Sequence, residues 1–277
     1  MILVIGKNGQ LAHELRQYLP KRSRFLSSRD INLNEIQAIK KKLSKFNFQL
    51  IINCAAFNNV DLAESREENH NINALAPGEI ASYCYEKDIS LIHISTDAVF
   101  DGKEKEYFET SKPNPCNAYG VAKFEGEANI KKQHKKYVII RTSWLYSQQK
   151  NSFLGKIKDK FKSQDELFGA NDVVSSPTSA RSLAEGIQKV LTFKTIPFGT
   201  YHFANKGAAS KFDFIREIGL NMNLDKDNEV KIKKVKNSFF KLDAERPKNT
   251  VLNCKKFEKT FDFKMINWKK ELKEHFK

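Results

Sequence analysis

Ile2-Leu3-Val4-Ile5-Gly6-Lys7-Asn8-Gly9-Gln10-Leu11-Ala12 opens the chain with an apolar run, a glycine turn and the start of a helix. The run Ile2 to Ile5 is short, unbroken and rich in β-branched side chains, so it reads as a strand buried on both faces. Leu11, Leu15 and Leu19 then recur at helical spacing until Pro20 stops the pattern. A strand, a glycine turn and a helix start together make an anion site. Backbone N–H groups converge at the helix N-terminus, the helix dipole favours negative charge, and glycine lets a pyrophosphate come close. An ordinary tight turn is the plain alternative. Ala12 stands where a third glycine often sits, which predicts a helix set slightly farther from the strand.

Working outward, Phe25-Leu26-Ser27-Ser28 reads as a second strand. Dinucleotide sites often end this strand on an acid for the ribose 2′-hydroxyl, or carry an arginine nearby for a 2′-phosphate. Ser28 and Arg29 stand there, which points to NADPH; Asp30 keeps NADH as the alternative. Leu50-Ile51-Ile52-Asn53, Leu91-Ile92-His93-Ile94-Ser95 and Val138-Ile139-Ile140 are further buried strands. Ile36, Ile39 and Leu43 mark one helix between them, and Ile72, Leu75, Ile80 and Tyr83 a core-facing second. Beyond Ser147 the alternation loosens, with helices expected over 153–161, 183–191 and 212–218 and a strand at 201–203. The expected fold is α/β: a Rossmann-type doubly wound parallel sheet in 1–147 that binds NADP. A smaller C-terminal substrate-binding lobe in 148–277 returns in part to complete the sheet.

Open α/β sheets bind ligands beyond the carboxyl ends of their strands. Cys54-Ala55-Ala56-Phe57 leaves the third strand with small residues that make room for a ribose and a nicotinamide. Ser95-Thr96-Asp97 ends the fourth, where hydroxyls either bond a substrate carbonyl or cap a turn. His93 in that strand reads as a satisfied core histidine. Tyr119 and Lys123 stand four apart at the head of a helical pattern, so they share a face. A phenol ionises near pH ~10, and a close ammonium favours its anion; lowering it by ~3 units takes roughly 4 kcal/mol. A solvated helix face carrying both residues by chance is the bland reading.

The chain has 277 residues, 40% hydrophobic, and no apolar run of membrane-span length. Its N-terminus lacks the pattern of a signal peptide, and its four cysteines form no CxxC, which suits a reducing cytoplasm. No histidine spacing suggests a metal site. The net charge of +15 admits nucleic-acid binding or attraction of small polyanions. The lysines are spread along solvated faces instead of forming one block, so a general compositional bias is the preferred reading, with no nucleic-acid or membrane partner.

Several segments in order resemble the extended short-chain dehydrogenase/reductase family, in its dTDP-4-dehydrorhamnose reductase branch. They are ILVIGKNGQLAHEL (2–15), INCAAFNNVDLAE (52–64), NINALAPGEIA (71–81), HISTDAVFDG (93–102), PNPCNAYGVAKFEGE (113–127) and IIRTSWLY (139–146). Looser matches follow at SSPTSARSLAEGI (175–187), GTYHFAN (199–205) and RPKNTVLN (246–253). The resemblance implies NADPH-dependent reduction of a 4-keto-6-deoxy sugar nucleotide. Tyr119 would protonate the oxygen, Lys123 would lower the Tyr119 pKa and hold the nicotinamide ribose, and Thr96 would hold the keto oxygen. It assigns Gly6, Gly9, Gln10, Leu11, Asn32, Leu33, Ala56, Phe57 and Asn58 to the cofactor. Val60, Asp97 and Trp144 fall on the substrate side, with a core or interface aromatic as the alternative for Trp144. Ala98 replaces a bulky aromatic, which motivates a different keto sugar. A non-catalytic NADP-binding relative is a further option, disfavoured because Tyr119 and Lys123 are both kept. The family's homodimers, sometimes with a metal near a residue matching Glu14, leave a homodimer open; one carboxylate is no metal site, and none is assigned.

Overall fold

The computed structural model describes residues 1–222 and 230–277. Six strands build the main sheet: β1 (Ile2–Ile5), β2 (Arg24–Leu26), β3 (Leu50–Asn53), β4 (Ser90–Thr96), β5 (Tyr137–Thr142) and β6 (Gly199–His202). Their order is β2-β1-β3-β4-β5-β6, and every neighbouring pair is parallel. The chain leaves β1 for β2 on one side and returns across it to β3 on the other. The switch point of this doubly wound, Rossmann-like sheet therefore lies between β1 and β3, where a crevice opens at the strands' carboxyl ends.

The helices are α1 (Gln10–Tyr18), α2 (Ile39–Leu43), α3 (Glu67–His70), α4 (Ala76–Glu86) and α5 (Ala118–Gln133). After them come α6 (Phe153–Ser163), α7 (Ala180–Leu191), α8 (Lys211–Asn221), α9 (Lys255–Phe261) and α10 (Trp268–Glu274). Alternation along the strands splits the core. Val4, Ile52, Ile92 and Val138 meet α1, α7 and α9 on one face, while Leu3, Ile5, Ile51 and Leu91 meet α2 and α4 on the other. Each such side chain contributes roughly 1.5–3 kcal/mol by leaving water. A separate core around Tyr146, Leu154, Phe161, Phe214, Trp268 and Leu272 holds the C-terminal lobe. Among the described residues no helix is long and apolar enough to cross a membrane.

Two details correct the sequence reading. Leu75 does not face the core but is 37% exposed. A π-helical turn at Asn71–Leu75 joins α3 to α4, and its wider winding rotates Leu75 off the stripe that Ile80 and Tyr83 follow. The second strand ends at Leu26, so Ser27 and Ser28 belong to the turn after it. Asp30 closes that turn by accepting the Ser27 N–H (2.8 Å) and hydroxyl (2.7 Å).

Helix α5 places the chemistry, and its start is specified locally. Asn117 caps it by accepting the Gly120 N–H at 2.8 Å, and the Glu64 carboxylate accepts the Ala118 N–H at 2.9 Å. A Cβ on Gly120 would lie 2.2 Å from the Ala98 carbonyl oxygen, so only glycine lets α5 come this close to the end of β4. Farther along, Glu127 accepts two hydrogen bonds from Arg141 of β5 (2.8 and 2.7 Å) and one from Ser95 of β4 (2.6 Å). Burial alone would raise the Glu127 pKa; Arg141 outweighs it and holds the carboxyl below its usual value. This buried pair locks α5 to both strands.

Candidate active site

At the switch point Gly6 has φ +98, and a Cβ there would meet Ala55 N at 2.8 Å. Gly9 precedes α1 with no side-chain cap and no acid follows in the first turn, so the first N–H groups of α1 remain available to an anion. A cavity of about 270 Å³ lies against this turn, lined among others by Gly6, Lys7, Ser28, Asn32 and Leu33. It shares Gly9, Cys54, Ala56 and Asn58 with a second cavity of about 410 Å³. Two adjoining cavities around a bare helix start and a glycine that tolerates no side chain fit a dinucleotide. Arg29 and Phe57 stand outside both linings. Arg29 is exposed beyond the β2 turn, and the backbone of Phe57 is tied to the Asn73 side chain (3.1 and 2.8 Å). Lys7, which the sequence reading passed over, is the cation at the adenosine-side cavity.

The second cavity brings together Gln10, Leu11, Val60, Thr96, Asp97, Tyr119, Lys123 and Trp144. Thr96 both caps a turn and faces the cavity: its oxygen accepts the Ala98 N–H at 3.1 Å, and its hydroxyl points to Asp97 at 3.2 Å. Tyr119 is partly open to the cavity, yet burial of its hydroxyl pushes the phenol up to about 12, with Asp97 adding to the rise and Thr96 opposing it. Lys123 is 1% exposed, and burial pulls its amine down to about 8, against the attraction of Glu127. The expectation that Lys123 lowers the Tyr119 pKa is thus corrected, since burial dominates and the lysine is not among the groups that shift the phenol. The Lys123 Nζ is engaged with the Ile94 carbonyl (2.7 Å) and His93 Nε2 (3.3 Å) instead.

The far side of this cavity comes largely from the more loosely matched segments, in residues to which the sequence reading gave no role. The Asp97 carboxylate accepts from Ser175 (2.8 Å) and from Thr250, and Ser175 in turn touches Ser143. Arg246 lines the cavity and binds Asp61 at 2.7 Å. Trp144 adopts φ 39, a left-handed conformation that costs a bulky residue about 1–3 kcal/mol. Lys211, at the first turn of α8, sets its Nζ 3.6 Å from the centre of the Trp144 ring and 4.3 Å from that of Phe153. Burial there, aided by Arg246 and opposed by Asp97, lowers its pKa to about 7. Ser175, Arg246 and Thr250 fall within matched segments but lie far apart in sequence, and Lys211 falls in none of those segments, so no local pattern brings the four together.

Comparison with known proteins agrees with this geometry. A dTDP-4-dehydrorhamnose reductase from Shigella flexneri is 31% identical, the match covering 96% of this chain and 94% of the relative. The crystal structure of a dTDP-4-dehydrorhamnose reductase from Clostridium acetobutylicum superposes with a TM-score of 0.91 at 34% identity, covering 99% and 97% of the two chains. One from Bacillus anthracis, in complex with NADP, gives 0.93 at 30% identity, covering 99% and 98%. The family described as the RmlD substrate binding domain matches residues 1–277. On that full-length match the chain belongs to the RmlD family, the dTDP-4-dehydrorhamnose reductase-like branch of the extended short-chain dehydrogenase/reductases.

Proposed function

We propose that the protein uses NADPH to reduce the 4-keto group of dTDP-4-dehydrorhamnose, a step toward dTDP-rhamnose. The observation that carries this reading is the shared floor of the two cavities, with Tyr119, Thr96 and Lys123 together on one side of it. Bound NADPH supplies the hydride. Tyr119 then gives its proton to the sugar oxygen as charge develops there; a phenol held near 12 is protonated and ready to act as the acid. The Thr96 hydroxyl turns from Asp97 to the same oxygen. Gly6, Gly9, Gln10 and Leu11 hold the pyrophosphate, and Ser28, Asn32, Leu33 and Lys7 surround the adenosine end. Arg246 and Lys211 place positive charge beside the cavity, where a sugar nucleotide carries its diphosphate. Residues 1–147 with the returning β6 and α7 serve the cofactor, and the remaining lobe serves the sugar. Four free thiols suit a cytoplasmic enzyme.

The test is turnover. With NADPH and dTDP-4-dehydro-L-rhamnose, absorbance of the reduced nicotinamide declines. Ala98 lines the cavity with only a methyl group, which favours a second reading, a bulkier keto sugar. Turnover of another keto-sugar nucleotide, and none of this one, selects that reading.

A further inference from the structure

We propose that Asn53 and His93 bias Lys123 toward the neutral amine, a bias that acceptors in the cavity relieve, making His93 a positioning residue that acts through the lysine. The inference rests on the reductase reading only for its consequence, since the geometry is set by the protein's own side chains. Ala55 N–H donates to Asn53 Oδ1 at 3.2 Å, which fixes the carboxamide. The Asn53 NH2 group therefore faces His93 Nδ1 at 3.2 Å. An amide NH2 only donates, so Nδ1 accepts, and the single proton of the neutral imidazole sits on Nε2. That N–H points at Lys123 Nζ, 3.3 Å away. An ammonium would set donor against donor. A neutral amine presents a lone pair to Nε2–H and gives one N–H to the Ile94 carbonyl at 2.7 Å.

The opposite arrangement fails on the same count. An ammonium donating to Nε2 would move the imidazole proton to Nδ1, against the Asn53 NH2. Turning the carboxamide to accept it would take the acceptor away from the half-buried Ala55 N–H. His93 is fully buried, and burial keeps it from charging. The other groups facing Lys123 do not change the balance. Glu127, one turn along α5, is held by Arg141; Tyr119 is a neutral phenol; and burial pushes the Cys54 thiol up to about 12. Lys123 therefore holds its proton more firmly once a better acceptor than His93 arrives. A bound ribose hydroxyl is one, and the Tyr119 phenolate left after proton transfer is another.

Nitrogen-15 NMR of histidine-labelled, full-length protein near pH 7 reads the tautomer directly: a protonated Nε2 and a bare Nδ1 are expected for His93. The reverse tautomer, or an imidazolium, would overturn the proposal. His93→Phe keeps a ring but removes the donor. Lys123, followed by the shift of its labelled ε-carbon, should then titrate higher by about one pH unit. His93→Gln, whose amide still donates toward Nζ, should bring the value back. A folded His93→Phe protein with unchanged Lys123 titration also sinks the idea, because a purely structural histidine predicts that result. If the variant does not fold, the wild-type tautomer decides. None of these readouts needs substrate, so they fail independently of the reductase reading.

Discussion

The two sides of the active-site cavity are built on opposite principles. On the sheet side, α5, β4 and β5 are joined by a buried carboxylate and guanidinium in two-fold contact, and the reactive groups project from a helix that glycines press against its neighbours. On the lobe side, hydroxyls from Ser143, Ser175 and Thr250 gather around Asp97, and Lys211 lies against aromatic rings. The first side excludes water and holds atoms in place, which suits proton transfer. The second gathers hydroxyls and positive charge, which on the proposed reading suits recognition of a sugar and its diphosphate. On the proposed reading, chemistry and specificity thus occupy different parts of the fold.

The sharpest way to break this division is Tyr119→Phe. Loss of the acid should lower kcat by about 10²–10⁴-fold while NADPH binding persists; near-native kcat would remove catalysis from the sheet side. Next comes Glu127→Gln, which leaves Arg141 buried without its counter-charge. A loss of about 3–5 kcal/mol in urea unfolding is expected. Because the Glu127 pKa is depressed in the folded state, its contribution is present above the unfolded carboxylate value and disappears as acid protonates it. Third, burial holds His93 well below its usual range, His202 at about 3 and His275 at about 4. Unfolding then takes up protons below pH ~6.5, so stability falls with acid, by up to about 3 kcal/mol between pH 6.5 and 5.5 for the three together. Flat stability over that interval would mean that water reaches these sites. The smallest effect belongs to the lobe side. Lys211→Met should raise the sugar-nucleotide KM by no more than about ten-fold, with kcat unchanged. In the wild type the charge is present below pH ~7 and lost above it, so KM should climb through neutrality and the Met variant should show no such climb.

The same division explains what could be read from the chain. The sheet side is written in short segments. Ile2 to Gly9 is a strand and its turn, Ser95 to Asp97 ends a strand, and Tyr119 to Lys123 is one helical turn. Local periodicity and glycine placement expose all of them. His93 was legible as a buried, satisfied histidine, but not that the lysine satisfies it, since that contact spans β4 and α5. The role expected of Arg29 rested on its position after β2; it stands exposed in the turn that Asp30 closes, next to Ser28 of the cavity lining and outside that lining itself. The lobe side joins residues 97, 143, 175 and 250 through the tertiary fold, so no window of sequence contains it. Leu75 missed the core for a related reason: one π turn shifts a helical register without any marker in composition.

The hydroxyl cluster on Asp97 has a kinetic corollary. Swinging the lobe away would tear Ser175 and Thr250 from a buried carboxylate and pull Arg246 off Asp61, three ruptures at once. The mouth of the cavity is accordingly a fixed mould. Capture should proceed in one kinetic phase, with no slow clamping step behind it.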